Sequence, residues 1–340
     1  MTRSAAIVGI TGPSLSAEEA VLLRRHEPSG VILFRRNIQS PGQLADLVES
    51  IRSVVPDVLM MVDQEGGRVA RLRPPHWAAH PSAAAIGALL SRSRADAVRA
   101  AFLSGALIGL EAAGGGFEVV CAPVLDRRIA GASEVVGDRA FSTDPDEIAL
   151  LAGAMAEGLL AAGVQPVGKH APGHGPATVD SHLSLPVLDT PEEADLRPFR
   201  TVSPLPWLMT AHIRFDGLDP ERPATLSPVV LGEVIRRDLG FDGVLVSDDL
   251  AMEALSGSPG ARAAAALAAG CDIALHCSGV LSDTTEVLEA SGPPTEACLD
   301  RLARARAQAA EAAASYPGLC SRFDGMLAER TRLLAGAPAV

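Results

Sequence analysis

Eight apolar runs of strand length, separated by helix-like stretches, constrain the fold of this chain more than any other feature. They cover residues 5–11, 30–34, 58–63, 117–122, 164–169, 205–211, 243–247 and 271–277. Each is nearly continuous in Val, Ile, Leu, Met or Ala, the pattern of parallel strands buried on both faces. The stretches 40–54, 94–113, 144–162 and 228–239 read as helices. The one starting at Asp144 has Pro145 early and Gly163 just past its end, the usual asymmetry of helix start and stop. Strand and helix alternate in one unbroken series. The expected fold is therefore α/β, a single (β/α)8 TIM-type barrel over about 5–290 with extra C-terminal helices over about 295–336. One domain over residues 1–340 is expected, because no linker, repeat or composition shift divides the chain. A doubly wound sheet is the competing architecture. It needs a glycine fingerprint, and neither GxGxxG after the first run nor GxxxxGK[ST] occurs.

With 48% hydrophobic residues over 340 positions, the chain has material for a large core. A formal net charge of −12 speaks against nucleic acid or an anionic membrane surface as partner. Alanine-rich stretches such as 261–270 are too short and too weakly apolar to span a bilayer. The opening "MTRSAAIVGITGPS" is broken by glycine and proline, unlike a secretory signal. The expectation is a cytoplasmic, monomeric protein that acts on a small molecule and needs no cofactor. Cys121, Cys271, Cys277, Cys298 and Cys320 form no CxxC, and the first two lie in apolar runs, which suits reduced core thiols.

In a barrel of this kind chemistry gathers at the C-terminal ends of the strands and in the loops that follow. The third run ends "MMVDQEGGRVARLR", the fourth "VCAPVLDRR", the fifth "VGKHAPGHG", the sixth "LMTAHIRFDG" and the seventh "VLVSDDLAM". Asp63, Asp126, Lys169, His170, His212, Asp248 and Asp249 all punctuate apolar sequence at the same end. Charge half-buried at a strand end is costly unless compensated. Each residue alone reads equally well as part of a structural ion pair; together at one rim they point to a pocket. Gly66 and Gly67 read as a tight turn after the third run. His212 reads either as a pocket-wall residue or as a satisfied structural histidine, and His276 as structural.

The segment "KHAPGHGPATVDSHLSLP", residues 169–186, follows the fifth strand. It holds three of the eight histidines and the only lysine; every other basic residue is arginine. Two readings compete for its histidines. His170 and His174, spaced i, i+4, would offer two ligands to one zinc if they lay on a helix. Pro172 and Gly173 between them argue against a helix, and no HExxH or cysteine cluster occurs. No metal site is expected. The other reading is acid–base work, in which a bent loop brings Asp180 to His182. That contact fixes the tautomer and raises the imidazole's proton affinity, making a usable general acid at neutral pH. An Asp-x-His pair on a loop is common, and it means little without a partner across the pocket. Asp248, ending the seventh run, is the candidate. A carboxylate facing a proton donor is the arrangement that breaks a glycosidic bond with retention.

The elements "DQEGGRVARL", "VVGDRAFS", "KHAPGHGPATVDSHLSLP", "MTAHI…PATLS" and "GFDGVLVSDDLAM" occur in one order across the chain. Together they closely resemble the bacterial β-N-acetylglucosaminidases (β-hexosaminidases) of glycoside hydrolase family 3, the NagZ type. The resemblance covers residues 5 to 280 and implies a retaining exo-hydrolase in a single barrel. It implies Asp248 as nucleophile and His182 as general acid/base, assisted by Asp180. It implies that Asp63, Arg71, Arg139, Lys169 and His170 hold the non-reducing N-acetylglucosamine. The task it implies is removal of N-acetylglucosamine from anhydromuropeptides, GlcNAc-anhydroMurNAc-peptides, during cell-wall recycling in the cytoplasm.

Two departures stand out. Ala171 replaces an aromatic common among relatives, and Pro176 replaces a frequent aspartate; both bear on packing and loop motion rather than on a reacting atom. The β-glucosidase branch of the family takes its proton donor from a second domain. Here the sequence beyond the eighth strand looks helical, so the donor is expected from the barrel's own loops, which favours the N-acetylglucosaminidase branch. A phosphorylase and a catalytically silent sugar-binding barrel are the alternatives. The single lysine suits sugar hydroxyls, which a compact ammonium meets more readily than a longer planar guanidinium.

Overall fold

The structure is a computed structural model describing residues 3–129, 131, 135–175, 184–202 and 205–335. Its centre is a ring of eight parallel strands: β1 (Ser4–Gly9), β2 (Pro28–Leu33), β3 (Leu59–Val62), β4 (Val119–Val120), β5 (Gln165–Ala171), β6 (Trp207–Thr210), β7 (Val244–Val246) and β8 (Ala274–His276). Neighbours in sequence are neighbours in the sheet, and β8 returns to pair with β1. A parallel bridge between Val246 and Ile273 closes the remaining seam. All eight apolar runs of the sequence are barrel strands.

A helix follows each strand: α1 (Ala17–His26), α2 (Pro41–Val54), α3 (Arg94–Gly114), α4 (Pro145–Ala161), α5 (Glu193–Thr201), α6 (Val230–Asp238), α7 (Pro259–Ala269) and α8 (Leu281–Ala290). Their starts are written in the sequence. Ser16, Ser40, Ser93, Asp144 and Ser258 each accept a first-turn backbone N–H, satisfying donors that a helix leaves orphaned. The start read at Asp144 is of this kind, with Asp144 Oδ1 accepting from the amide of Asp146 at 2.8 Å. The expected closing helices are α9 (Glu296–Ala314) and α10 (Phe323–Leu334).

Strand residues alternate between two cores, as a period of two requires. On β1, Ile7 points into the barrel with Ile32, Met61, Val167, Trp207 and Val246, while Ala6 and Val8 face the helices. Trp207 fills the barrel and donates Nε1–H to Gln165 Oε1 at 2.9 Å, so its polar edge is not stranded in an apolar interior. The barrel interior is thus packed shut below its mouth. Cys121, Cys271, Cys277 and Cys298 are buried free thiols, whereas Cys320 is exposed, so four of the five match the expected core placement.

Candidate active site

The site begins with a hairpin after β3, where Gln64–Gly66 pairs antiparallel with Val69–Ala70. Its turn is the expected Gly66–Gly67, with φ of 99° and 55°. A Cβ on Gly66 would lie 2.2 Å from the carbonyl oxygen of Pro81, so glycine is required for conformation and for space. Gln64 points away from the mouth and ties the hairpin ends, its Oε1 accepting from the amides of Arg71 and Leu72 at 2.6 and 3.0 Å. Asp63, Glu65 and Arg71 are left to face the mouth.

There they meet two further cations, Lys169 on β5 and Arg139 in a short 3-10 turn after β4. Asp63 Oδ1 accepts from Lys169 Nζ at 3.0 Å and Oδ2 from Arg71 Nη2 at 3.0 Å. Glu65 accepts both Nε and Nη2 of Arg139 at 2.8 Å, a forked pair, and Lys169 Nζ lies 2.6 Å from Glu65 Oε1. Burial opposes the charged forms of Asp63, Glu65, Lys169 and Arg139, yet the pairing wins. Lys169 and Arg71 hold the Asp63 carboxyl far below the usual carboxylate range. Arg139 and Lys169 bring Glu65 down to about 2. Against the same desolvation, Asp63 and Glu65 raise Lys169 above an ordinary lysine, and Glu65 foremost raises Arg139. Phe34 flanks this array, with the guanidinium of Arg71 5.2 Å from its ring centre and that of Arg36 at 5.0 Å.

A carboxylate–imidazole unit stands beside it. Asp126, after β4, accepts His170 Nδ1–H on Oδ2 at 2.6 Å and the amide of His174 on Oδ1 at 2.7 Å. Despite burial, these contacts bring Asp126 to about 2. They fix the His170 ring so that Nε2 faces Arg139 Nη2 at 3.4 Å. His174 is buried beside the pair and desolvation lowers it to about 4, so its imidazole is neutral near pH 7.

Asp248 follows β7. Its Oδ1 accepts from the amide of Asp249 at 2.8 Å, and its side chain makes no ion pair among the described residues. Burial favours its neutral form, but the neighbouring His170 and His212 rings, with the Asp249 amide, hold the pKa below the usual carboxylate value. Asp249 has a different occupation. Its Oδ1 accepts from the amides of Ala251 and Cys277, both at 2.9 Å, bracing the loop after β7.

Asp63, Arg71, Arg139, Lys169, His170 and Asp248 all line one cavity of about 610 Å³ at the barrel mouth. These six expected residues come from four strands and the loops after them, β3, β4, β5 and β7. His212 corrects that reading as a substrate-binding residue. It is fully buried behind the cavity, with Nδ1 2.8 Å from Thr225 Oγ1 and Nε2 2.9 Å from the Asp249 carbonyl oxygen. A ring with both nitrogens engaged by protein has none left for a sugar, and the structural alternative holds. His276 is likewise buried, beside Ser278. Ala171 packs between sheet and helices, away from the cavity. Asp180, His182 and Pro176 lie outside the described residues. The segment leading to them ends in the cavity wall at His174.

Glu65 escaped the sequence reading although a signal existed. It stands two residues after Asp63, and a period of two puts both carboxylates on one face. Phe34 had no such signal, since it looks like the end of any apolar run. Chemically, the cavity offers closely spaced charged donors and acceptors suited to vicinal hydroxyls, with one carboxylate open to a reacting carbon. Among the described residues no cluster of His, Cys, Asp and Glu is spaced to hold a metal ion.

The chain is similar to known proteins in sequence and in fold. The model of the glycosyl hydrolase family 3 N-terminal domain matches residues 5–305. The chain is 42% identical over 280 residues to a β-hexosaminidase of Alkalilimnicola ehrlichii, covering 80% of each chain. It is 43% identical over 278 residues to one of Pseudomonas aeruginosa, covering 80% of this chain and 81% of the other. Among solved structures, NagZ from Neisseria gonorrhoeae in complex with N-trifluoroacetyl-D-glucosamine superposes with a TM-score of 0.86 at 32% identity, over 99% of both chains.

Proposed function

The chain belongs to glycosyl hydrolase family 3 and is a glycoside hydrolase of β-N-acetylhexosaminidase type, and from that premise we propose that it is a retaining exo-β-N-acetylglucosaminidase with Asp248 as nucleophile. The observation that carries this reading is the division of labour between the two adjacent aspartates. Both line the cavity that also holds the Lys169–Asp63–Glu65–Arg139 array, but one oxygen of Asp249 is engaged by two backbone amides from the loops it braces, whereas Asp248 accepts only the amide of its neighbour.

In the proposed reaction the array binds the hydroxyls of the terminal sugar and sets its anomeric carbon against Asp248. The carboxylate attacks that carbon as the glycosidic bond breaks, and His182, oriented by Asp180, gives its proton to the leaving oxygen. A glycosyl ester of Asp248 results. Water then attacks the same carbon, loses a proton to His182, and restores the carboxylate with net retention. A depressed Asp248 pKa suits this role, because the nucleophile must be ionised at neutral pH.

The natural substrates we assign are GlcNAc-anhydroMurNAc-peptides, met in the cytoplasm during cell-wall recycling by a monomeric enzyme. The N-trifluoroacetyl-D-glucosamine in the Neisseria gonorrhoeae structure supports an N-acylated glucosamine in the pocket. The test is a slow-turnover 2-deoxy-2-fluoro or 5-fluoro sugar followed by peptide mapping. A label on Asp248, and hydrolysis of aryl N-acetyl-β-glucosaminide well above aryl β-glucoside, are expected. A label on Asp249, or preference for the glucoside, overturns the reading.

A further inference from the structure

Behind the cavity, four polar contacts, the inner two fully buried, form a chain that begins and ends on the Asp248–Asp249 backbone. The amide of Asp248 donates to Thr210 Oγ1 at 3.3 Å. Thr210 Oγ1 lies 2.8 Å from Thr225 Oγ1, and Thr225 Oγ1 lies 2.8 Å from His212 Nδ1. His212 Nε2 lies 2.9 Å from the carbonyl oxygen of Asp249. Thr210, His212 and Thr225 are all fully buried, so no water competes for these groups. We propose that Thr225 and Thr210, with His212, are positioning residues that fix the reacting carboxylate of Asp248 by closing a hydrogen-bonded ring around its peptide. This inference rests on the reading of Asp248 as nucleophile.

The direction of the ring follows from its two ends. An amide N–H only donates and a carbonyl oxygen only accepts. Thr210 therefore receives the Asp248 amide on a lone pair and is free to donate its own proton to Thr225. At the other end His212 Nε2 must carry hydrogen. A neutral imidazole then has a lone pair on Nδ1, and the Thr225 hydroxyl donates to it. Every proton in the ring is assigned, and each donor has one acceptor.

Thr225 has a second acceptor within reach, the carbonyl oxygen of Ala211 at 3.0 Å. If His212 takes up a proton on Nδ1, rotation of the Thr225 hydroxyl toward Ala211 leaves its lone pairs for both Thr210 and Nδ1–H. The ring closes in either charge state without moving a heavy atom. That property matters for this reaction, because Asp248 is an anion in the free enzyme and a neutral ester in the intermediate. The groups facing His212 thus tolerate both the loss and the return of the neighbouring negative charge. The segment carrying Thr225 is itself tied to the loop after β6, the Ala224 amide donating to the Ile213 carbonyl at 2.6 Å.

Thr225→Val removes the hydroxyl and keeps the shape; Thr225→Ser keeps the hydroxyl. With aryl N-acetyl-β-glucosaminide, Thr225→Val is expected to lose about tenfold to a hundredfold in kcat with KM within about twofold, since a nucleophile slightly misplaced slows chemistry rather than binding. Thr225→Ser is expected to restore most of kcat. Wild-type kcat in Thr225→Val, or an equal loss in Thr225→Ser, overturns the proposal. If Thr225→Val does not fold, Thr210→Val removes the acceptor of the Asp248 amide and is expected to show the same split. In the wild-type enzyme, 15N shifts of His212 are expected to show Nε2 protonated across neutral pH. A neutral Nδ1–H tautomer overturns the ring. Fluoro-sugar labelling separates the two claims: a label away from Asp248 defeats the functional reading, whereas a label on Asp248 with full turnover in Thr225→Val defeats only this one.

Discussion

Lys169 Nζ and Glu65 Oε1 lie 2.6 Å apart in the floor of the cavity, and neither side chain has a solvated alternative, at 3% and 7% exposure. The single lysine of the chain is therefore a bridge between two carboxylates, the buried Glu65 and the partly buried Asp63, as well as a donor toward the cavity. Three donors on a compact, rotatable ammonium can serve two carboxylates and still leave one for a ligand.

Replacing Lys169 tests that double role. Lys169→Met leaves two carboxylates short of a cation, and loss of one partner from a buried ion pair typically costs about 3–5 kcal/mol. The expected outcome is a lower urea midpoint together with loss of activity. Lys169→Arg keeps the charge but forces a longer planar group between Asp63 and Glu65, so KM for aryl N-acetyl-β-glucosaminide should rise sharply. Steady-state kinetics check this, and unchanged KM and kcat would reject the role of the ammonium.

The same array predicts how stability depends on pH. Glu65 titrates at about 2 in the fold against an ordinary 4.5, and Asp126 at about 2 against 3.8. A depressed carboxylate stabilises the fold above its unfolded pKa, and the contribution is lost as pH falls through the folded value. His174, lowered to about 4 from 6.5, acts in the same direction. The unfolded chain binds its proton below 6.5, while the folded chain refuses it until about 4. Urea midpoints should therefore be level near neutrality, decline from pH 6.5, and fall further between 4.5 and 2. Glu65→Gln should flatten the lower limb specifically.

The architecture was legible because barrel strands buried on both faces leave uninterrupted apolar runs, and because the helix caps are single, local residues. Asp63, Lys169, His170 and Asp248 were legible for a related reason: charge abutting such a run is costly to bury unless opposite charge gathers at the same rim; Arg71 and Arg139 abut no such run and came from the family resemblance alone. What the sequence hid was partnership. Whether Lys169 would meet hydroxyls or carboxylates depends on Glu65, which reaches it from another strand. His212 carries the same local signature as His170, at the end of an apolar run. It differs only because Thr225, contributed by a later loop, and the Asp249 carbonyl occupy its two nitrogens. Such distinctions arise from contacts between segments far apart in the chain, which spacing does not encode.

Asp248 and Asp249 should separate cleanly under conservative substitution. Asp249→Asn retains an oxygen able to accept the amides of Ala251 and Cys277, so the loop should hold and much activity should remain. Asp248→Asn keeps the shape but removes the negative charge that attacks the anomeric carbon, and a loss of about a thousandfold or more in kcat is expected for a nucleophile. Thermal midpoints of the Asp248 variant should stay near wild type. An order of activities with Asp249→Asn below Asp248→Asn would reverse the assignment.

The proposed proton donor is tested through the leaving group. Bond cleavage to a poor leaving group, such as a sugar hydroxyl, needs its oxygen protonated in the transition state, whereas an activated aryl oxide departs with little help. His182→Ala should thus depress kcat/KM by about a hundredfold or more for disaccharide substrates and far less for dinitrophenyl N-acetyl-β-glucosaminide. With the activated substrate the glycosyl–Asp248 ester should form quickly and break down slowly, because the same imidazole serves as base toward water in the second step. A burst of aryl oxide followed by a slow steady state is the expected trace, and added azide should speed that slow phase, since an anionic nucleophile needs no base. Equal losses across leaving groups, with no burst, would remove His182 from the role.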